Sequence, residues 1–179
     1  MLAEVCDRVV FAVPEGYEEG EGPERVRGGR SRSESVRLAL DVLEDARIVV
    51  VHDAARPLVT EELVRGCIDR IEEGWDGAIA AAPMTDTVKQ TDASGRVVRT
   101  FDRSKLWSIQ TPQAFRAETL RRALDVDDDE LAAATDDASL VEAAGGEVRV
   151  VEAPASNIKV THAADIARAE ALLQESGRC

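Results

Sequence analysis

An acidic residue and a pair of glycines are the first features of this 179-residue sequence that could bind a phosphorylated ligand. Asp53 follows the apolar run Ile48–Val51. A carboxylate just beyond a buried strand could bind Mg²⁺, which takes one or two protein carboxylates, or it could cap the turn over residues 54–57. Gly28 and Gly29 precede a predicted helix, where the backbone could approach a ligand closely or form an ordinary tight turn.

Further hydroxyl and cationic side chains lie after predicted strands or in short polar segments. Arg56 could pair with Asp53 or bind a phosphate group, whereas His52 is interpreted as a packed neighbour and not as a ligand. Each of the other candidates also has an ordinary structural explanation, such as a helix cap or a surface ion pair. These other candidates are Thr87, Lys89, Arg103, Thr111, Thr135 and Lys159.

An alternation of predicted strands and helices positions these residues. Short apolar runs over residues 8–13, 48–51 and 77–83 predict buried strands, and Thr60 predicts the N-cap of a helix over residues 61–73. A second helix is predicted to begin at Ser33 or Glu34. The β–α–β–α–β order predicts an open, mostly parallel α/β sheet with helices on both faces. Ligands of such sheets bind beyond the carboxyl ends of the strands, where Asp53 lies.

Residues 87–101 interrupt this pattern. Two strand-like pieces flank a turn at Ser94 and Gly95, which predicts an excursion from the sheet, and residues 106–110 return to it. No internal repeat, linker or low-complexity tract divides the chain. The sequence therefore predicts a single domain over residues 1–179.

The composition excludes several functional classes. With 22 Lys and Arg against 35 Asp and Glu, the net charge of −13 disfavours nucleic acid and anionic membrane surfaces as partners. Cys6, Cys67 and Cys179 are widely spaced and form no CxxC, so we expect neither a disulfide framework nor a zinc ribbon, and a reducing cytoplasm fits best. No apolar run approaches the ~20 residues of a membrane helix. P-loop, dinucleotide-fingerprint, zincin and serine-hydrolase motifs are absent from the sequence.

Six segments, in this order, resemble the 2-C-methyl-D-erythritol 4-phosphate cytidylyltransferases of the non-mevalonate isoprenoid pathway. The resemblance implies a Rossmann-like nucleotidyltransferase sheet and the transfer of a cytidylyl group from CTP to methylerythritol phosphate, with release of pyrophosphate and with Mg²⁺. The segments are GGRSRSESV (28–36), VHDAARP (51–57), PMTDTVK (83–89), QTPQAF (110–115), TDDASLVE (135–142) and NIKVT (157–161).

The resemblance also implies roles for individual residues. Gly29 and Ser35 would contact the cytidine part, Asp53 the metal and phosphates, and Ala54 the nucleotide. Residues 87–101 would form a β-arm that embraces a second subunit, so that the enzyme is a homodimer whose sites draw on both chains. The residues implied to surround or position the sugar phosphate are Arg56, Thr87, Arg103, Thr111, Thr135 and Lys159, with Arg103 and Lys159 as the catalytic cations.

One departure from the family concerns the start of the chain. Family members begin with a strand and a glycine-rich loop that holds the triphosphate, whereas this sequence starts at what resembles the next strand. An N-terminally truncated chain is therefore expected, without measurable transferase activity unless the upstream unit is added. Two further hypotheses are a cytidylyltransferase for another polyol phosphate, such as ribitol phosphate, and a catalytically inactive dimerising fragment.

Overall fold

The computed structural model describes residues 2–20 and 22–175, which alternate between strands and helices. The strands are β1 (Val10–Val13), β2 (Glu24–Arg27), β3 (Ile48–Val51), β4 (Gly77–Pro83), β5 (Lys89–Thr91), β6 (Val97–Thr100), β7 (Trp107–Arg116) and β8 (Val148–Glu152). The helices are α1 (Leu2–Val5), α2 (Arg32–Asp41), α3 (Glu61–Glu72), α4 (Ala117–Leu124), α5 (Asp128–Ala133), α6 (Asp137–Ala143) and α7 (Ala163–Glu175). Cys179 lies outside the described residues.

A four-stranded sheet in the order β3-β7-β4-β8 forms the centre of the fold. Strands β3, β4 and β8 share one direction, and β7 lies antiparallel between β3 and β4. The chain returns into the sheet as β7 after the β5–β6 hairpin, and β7 continues to Arg116, six residues beyond the predicted end. The predicted α/β class is confirmed, with β7 as the antiparallel strand of an otherwise parallel sheet.

Both faces of the sheet are covered, because successive side chains of its strands enter two different cores. Val49 and Ile79 pack with residues of α2, α4 and α6, whereas Val50 and Ala80 pack with residues of α3. Alanine, valine and leucine fill much of both cores, as expected from a sequence with 3% aromatic residues. The predicted placement of helices on both faces is therefore confirmed.

Local capping explains where the helices begin. Thr60 accepts a hydrogen bond from the Leu63 amide at 3.2 Å, which confirms the predicted cap of α3. The cap of α2 is Ser31, whose hydroxyl accepts from the Glu34 amide at 3.1 Å. The prediction of Ser33 or Glu34 as this cap was wrong, because the Ser-x-x-Glu spacing of a capping box begins at Ser31. Ser33 is instead buried inside the first turn.

A cleft of about 760 Å³ separates the parallel pair β1–β2 from the central sheet. Residues of β1 and of β3 both line it. Ser35, Asp53 and Ala54 are also among its lining residues. The cleft therefore reaches the carboxyl end of β3, where sequence analysis expected a ligand.

The β5–β6 hairpin, here called the hairpin arm (residues 89–100), projects from the sheet. Every residue of its two strands is exposed, including Val97 and Val98 at 51% and 56%. Gly95 turns the chain with a φ of 83°, a left-handed value that glycine adopts without a Cβ clash. The predicted excursion is thus a short antiparallel hairpin. None of the described helices has the length and apolar character needed to cross a membrane.

Candidate active site

Asp53 lies between two cationic side chains at the carboxyl end of β3. Its Oδ2 accepts a hydrogen bond from Lys159 Nζ at 2.8 Å, and its Oδ1 accepts from Arg32 Nε at 3.3 Å. Burial alone would raise the pKa of Asp53, but the hydrogen bond from Lys159 and the charge of Arg32 outweigh it and hold that pKa below its ordinary value. Asp53 is therefore ionised at neutral pH.

A chain of hydrogen bonds fixes the backbone on either side of Asp53. The Asp53 amide donates to Thr111 Oγ1 at 3.0 Å, the Thr111 hydroxyl lies 3.1 Å from His52 Nδ1, and His52 Nε2 lies 3.1 Å from the Arg56 carbonyl. A carbonyl only accepts, so Nε2 carries the imidazole proton and Nδ1 accepts from Thr111. Burial lowers the pKa of His52, which agrees with this neutral form. We call Arg32, His52, Asp53, Thr111 and Lys159 the Asp53 cluster.

An irregularity in β7 allows Thr111 to take part in the cluster. Ile79 of β4 pairs with Gln113 and Ala81 pairs with Ile109, so three residues of β7 stand opposite one residue of β4. Such a bulge releases backbone groups from the ladder and redirects side chains. The freed Thr111 carbonyl accepts from Asn157 Nδ2 at 2.9 Å, and the Thr111 side chain is buried against His52.

Arg56 and Asn157 join the two loops that carry Asp53 and Lys159. Arg56 is 9% exposed and donates from Nη1 to the Asn157 carbonyl at 2.8 Å, while Asn157 Nδ2 also donates to Gln110 Oε1 at 2.8 Å. Burial lowers the pKa of Arg56 below its ordinary value. Segment 157–161 forms no regular strand, and these contacts hold it in place.

Gly29 and Ser35 form a compact turn beside the cleft. The Gly29 amide donates to Ser35 Oγ at 3.0 Å, and that hydroxyl donates to the Ser31 carbonyl at 2.9 Å. A Cβ on Gly29 would lie only 2.3 Å from Glu34 Cγ, so the close return of the helix side chain requires glycine. Ser35, Asp53 and Ala54 line the same cleft, which places the predicted nucleotide contacts together.

Three predicted site residues lie outside the hydrogen-bonded Asp53 cluster. Arg103 is exposed and donates from Nη1 to the Thr85 carbonyl at 2.5 Å, which places it with Thr87 near the base of the hairpin arm. Thr135 is exposed between α5 and α6. The structure thus brings together Asp53, Thr111 and Lys159, but not Thr87 and Arg103.

The carboxylates of the site determine which metal could bind. Within residues 2–20 and 22–175, no three or more His, Cys, Asp or Glu side chains are grouped as metal ligands. Asp53 offers one carboxylate, and both of its oxygens contact cations. This donor set fits Mg²⁺ that keeps water and phosphate oxygens as its other ligands, because Mg²⁺ is commonly bound through one or two carboxylates.

Arg32 and Asp137 were not among the predicted site residues, whereas the interpretation of His52 as a packed neighbour agrees with its hydrogen bonds to Thr111 and Arg56. Arg32 donates to Asp137 Oδ2 at 2.6 Å as well as to Asp53, and Asp137 is fully buried. One signal was available in the sequence. Arg32 is the first residue of α2, where the helix dipole disfavours a cation, so an arginine there indicates a nearby carboxylate.

Comparisons with known proteins show which family the chain resembles over its length. The 2-C-methyl-D-erythritol 4-phosphate cytidylyltransferase family matches residues 2–175. The enzyme of this name from Rubrobacter xylanophilus is 50% identical over 149 residues, which cover 82% of this chain and 64% of that protein. The one from Saccharopolyspora erythraea is 45% identical over 152 residues, which cover 83% of this chain and 66% of that protein.

Solved structures extend the agreement to the fold. The crystal structure of 2-C-methyl-D-erythritol 4-phosphate cytidylyltransferase from Thermus thermophilus is 33% identical, with a TM-score of 0.81, and the match covers 96% of this chain and 85% of that one. The chain spans slightly less than two thirds of the length of the two curated relatives described above. The family match and these identities together show that the chain belongs to the 2-C-methyl-D-erythritol 4-phosphate cytidylyltransferase family.

Proposed function

We propose that this protein transfers a cytidylyl group from CTP to 2-C-methyl-D-erythritol 4-phosphate, giving CDP-methylerythritol and pyrophosphate. The observation that carries the proposal is the ionised Asp53 held between Arg32 and Lys159 at the carboxyl end of β3, in a chain of this family. A paired carboxylate and ammonium at a strand end suit a ligand that brings phosphate groups and a cation together.

The chemistry requires positioning and charge compensation, not a strong base. A phosphate monoester with a second pKa of about 6 is mostly dianionic at pH 7. One of its oxygens attacks the α-phosphorus of CTP, the bond from that phosphorus to the bridging oxygen breaks, and pyrophosphate leaves with that oxygen. Lys159 and Arg103 are the proposed catalytic cations, because an in-line transfer places charge on oxygens that such groups stabilise. The neutral His52 is consistent with a reaction that needs no general base.

The two substrates are assigned to different sides of the cluster. Gly29, Ser35 and Ala54 lie on the cleft side and are proposed to bind the cytidine part. Arg56, Thr111 and Lys159 lie beyond the end of β3 and are proposed, with Thr135, to hold the sugar phosphate. The hydrogen bonds that fix the Asp53 and Asn157 loops support this assignment, because they fix Lys159 relative to Asp53 before substrate binds.

Mg²⁺ is the proposed metal, with Asp53 as its protein ligand. When bound, it would neutralise phosphate charge and orient the triphosphate. Asp53 Oδ1 is the oxygen better placed to accept it, because its contact to Arg32 Nε is 3.3 Å and the contact of Oδ2 to Lys159 is 2.8 Å.

A homodimer is proposed because the hairpin arm has no interior surface of its own. An isolated two-stranded hairpin is marginal in water, and both strands of this one are exposed on both faces. Val97, Val98, Trp107 and Ile109 are exposed at 37–56% and could be covered by a second subunit. Thr87 and Arg103, which lie at the base of the arm, are then proposed to serve the site of the neighbouring subunit.

Two free cysteines, Cys6 and Cys67, support a reducing cytoplasm as the location.

The decisive experiment is a product assay with the full product of the gene. We expect CDP-methylerythritol and pyrophosphate from CTP and methylerythritol phosphate, and at least tenfold slower turnover with ribitol phosphate. Faster turnover with ribitol phosphate would assign a different polyol. No product from either phosphate, in a protein that elutes as a folded species, would contradict the proposed activity.

A further inference from the structure

Asp137 is a buried carboxylate for which the proposed reaction has no role. It is the first residue of α6 and has no exposed surface, and its Oδ2 accepts from Arg32 Nη1 at 2.6 Å. Burial raises the pKa of Asp137, while the charge and hydrogen bond of Arg32 oppose that rise. The two residues are 105 positions apart in the sequence, so the pair joins α6 to the turn that carries Gly29 and Ser35.

Stability alone explains this pair poorly. Arg32 Nη2 is buried without a hydrogen-bond partner, whereas Asp137 also receives a hydrogen bond from the buried Ser33. Buried ion pairs seldom stabilise a fold more than apolar side chains of the same volume would, and unpartnered polar atoms make the balance worse. A pair with an unpartnered guanidinium nitrogen next to a ligand site suggests a role in the site itself.

The geometry shows how Arg32 is divided between two carboxylates. Its contact to Asp137 at 2.6 Å is a short charge-assisted hydrogen bond, whereas its contact to Asp53 at 3.3 Å is longer than such bonds normally are. The guanidinium is a rigid, planar group, so anchoring Nη1 at Asp137 limits how closely Nε can approach Asp53. Asp53 Oδ1 is therefore only weakly engaged.

We propose that Asp137 is a positioning residue: by anchoring Arg32, it keeps the guanidinium from closing on Asp53 and leaves Asp53 Oδ1 available to the nucleotide and its cation. This inference rests on the proposed function for the identity of the ligand. Removing the charge of Asp137 would release Arg32, which would then pair with Asp53 and compete with the ligand.

The first test needs no ligand. In a crystal structure of ligand-free Asp137→Asn, we expect a guanidinium nitrogen of Arg32 within about 3.0 Å of an Asp53 carboxylate oxygen, the usual length of a charge-assisted hydrogen bond. An Arg32 that stays on the substituted amide side chain, with its contact to Asp53 still at 3.3 Å as in the wild type, would overturn the proposal whatever the protein catalyses.

The second test measures binding of CTP with Mg²⁺ by calorimetry in the full product of the gene. We expect Asp137→Asn to weaken binding about tenfold, and to have no effect in an Arg32→Gln background, because the double-mutant cycle isolates action through Arg32. Equal weakening in both backgrounds would overturn the proposal. A wild-type protein that fails to bind CTP would refute the proposed function, while the crystal structure would still decide the role of Asp137.

Two further variants separate positioning from folding. Asp76→Asn is the matched control: this half-buried carboxylate accepts from Thr119 Oγ1 and the Glu147 amide, away from Arg32, and its loss should lower stability without changing CTP affinity. Should Asp137→Asn not fold, Arg32→Lys tests the same idea. A lysine ammonium paired with Asp137 cannot also contact Asp53, as the forked guanidinium of Arg32 does. CTP affinity should therefore stay within about twofold of wild type or rise. A tenfold loss would overturn the proposal.

Discussion

The Asp53 cluster and the hairpin arm each contain a carboxylate with a lowered pKa, and the causes differ. Burial opposes the lowering of the Asp53 pKa, and the partners that lower it, Arg32 and Lys159, lie 21 and 106 positions away in the sequence. Asp92, in the turn of the arm, is held chiefly by Ser94 and also by Arg96, both within four positions. The cluster exists only when distant segments fold together, whereas the arm is a local structure that buries nothing. Function is therefore expected to depend on the cluster through charge, and on the arm through association.

The largest effect is expected from Asp53→Asn, which removes the charge between two cations. In the full product of the gene, turnover should fall on the order of 10²–10³-fold, the usual cost of losing a preorganised electrostatic group. The thermal midpoint should change little, because Lys159 is 44% exposed and its ion pair is screened by solvent. Steady-state kinetics and calorimetry measure both quantities. Asp129→Asn, an exposed substitution in α5, is the control. Wild-type turnover in Asp53→Asn would contradict the proposed role of Asp53 in the reaction.

Association is the corresponding test of the hairpin arm. The double change Val97→Lys and Val98→Lys should weaken a dimer by at least about 10²-fold, since each buried valine is worth about 1.5–3 kcal/mol. Sedimentation equilibrium at micromolar concentration measures the change. Ile166→Lys, at an exposed apolar position of α7, should leave the dimer intact. A wild-type protein that sediments as a monomer would contradict the proposed dimer.

A smaller effect is expected from Thr111→Val, which breaks the link between Asp53 and His52. The Asp53 amide and His52 Nδ1 both lose a partner, which should cost about 1–3 kcal/mol of unfolding free energy. Turnover of the full product of the gene should fall about tenfold as Asp53 shifts. Thr111→Ser keeps the hydroxyl and should restore most of both quantities. Urea unfolding measures the change in unfolding free energy, and steady-state kinetics measure the change in turnover. Full activity in the valine variant would show that the hydrogen bonds of Thr111 are dispensable.

The smallest effect concerns pH. Burial lowers the pKa of His52 below its ordinary 6.5, so between those two pKa values the unfolded chain binds a proton that the folded chain does not. The His52 contribution to stability is therefore fully present above pH 6.5 and is lost as the pH falls through the folded pKa. Urea unfolding at pH 7.5 and 5.5 should show this loss in wild type and in His162→Gln, which changes the exposed histidine. His52→Gln should reduce this loss of stability at low pH. An unchanged pH dependence in that variant would contradict the assignment of the loss to His52.

Most of the fold could be predicted from local sequence patterns. The bounds of β3 and β4 agree with the prediction, and Thr60 caps α3, because these features depend on short apolar runs and on one side chain. Helix α5 was not predicted, since its acidic residues show no apolar stripe and only Leu131 is buried. The antiparallel course of β7 beyond residue 110 could not be predicted either, because it depends on pairing with β3 and β4.

The site was predicted only in part, because local patterns identify single residues but not contacts between distant segments. Asp53 was identified from its place after an apolar strand, a local signal. The Arg32–Asp137 pair was not, because a contact between residues 105 positions apart leaves no periodic trace in either segment. The tie from His52 to Thr111 was also missed. It depends on the bulge in β7, where three residues stand opposite one residue of β4.

The bulge in β7 fixes which residues of that strand pair with β4. Between the end of the hairpin arm and the bulge, the strand proceeds by regular pairs, Pro83 with Trp107, Ala82 with Ser108 and Ala81 with Ile109. Side chains alternate between faces with a period of two, so deleting a single residue from 107–109 would either move the bulge or turn every preceding side chain to the opposite face. The spacing between the arm and Thr111 is thus set in whole residue pairs, and length variation in this segment should be tolerated only in steps of two.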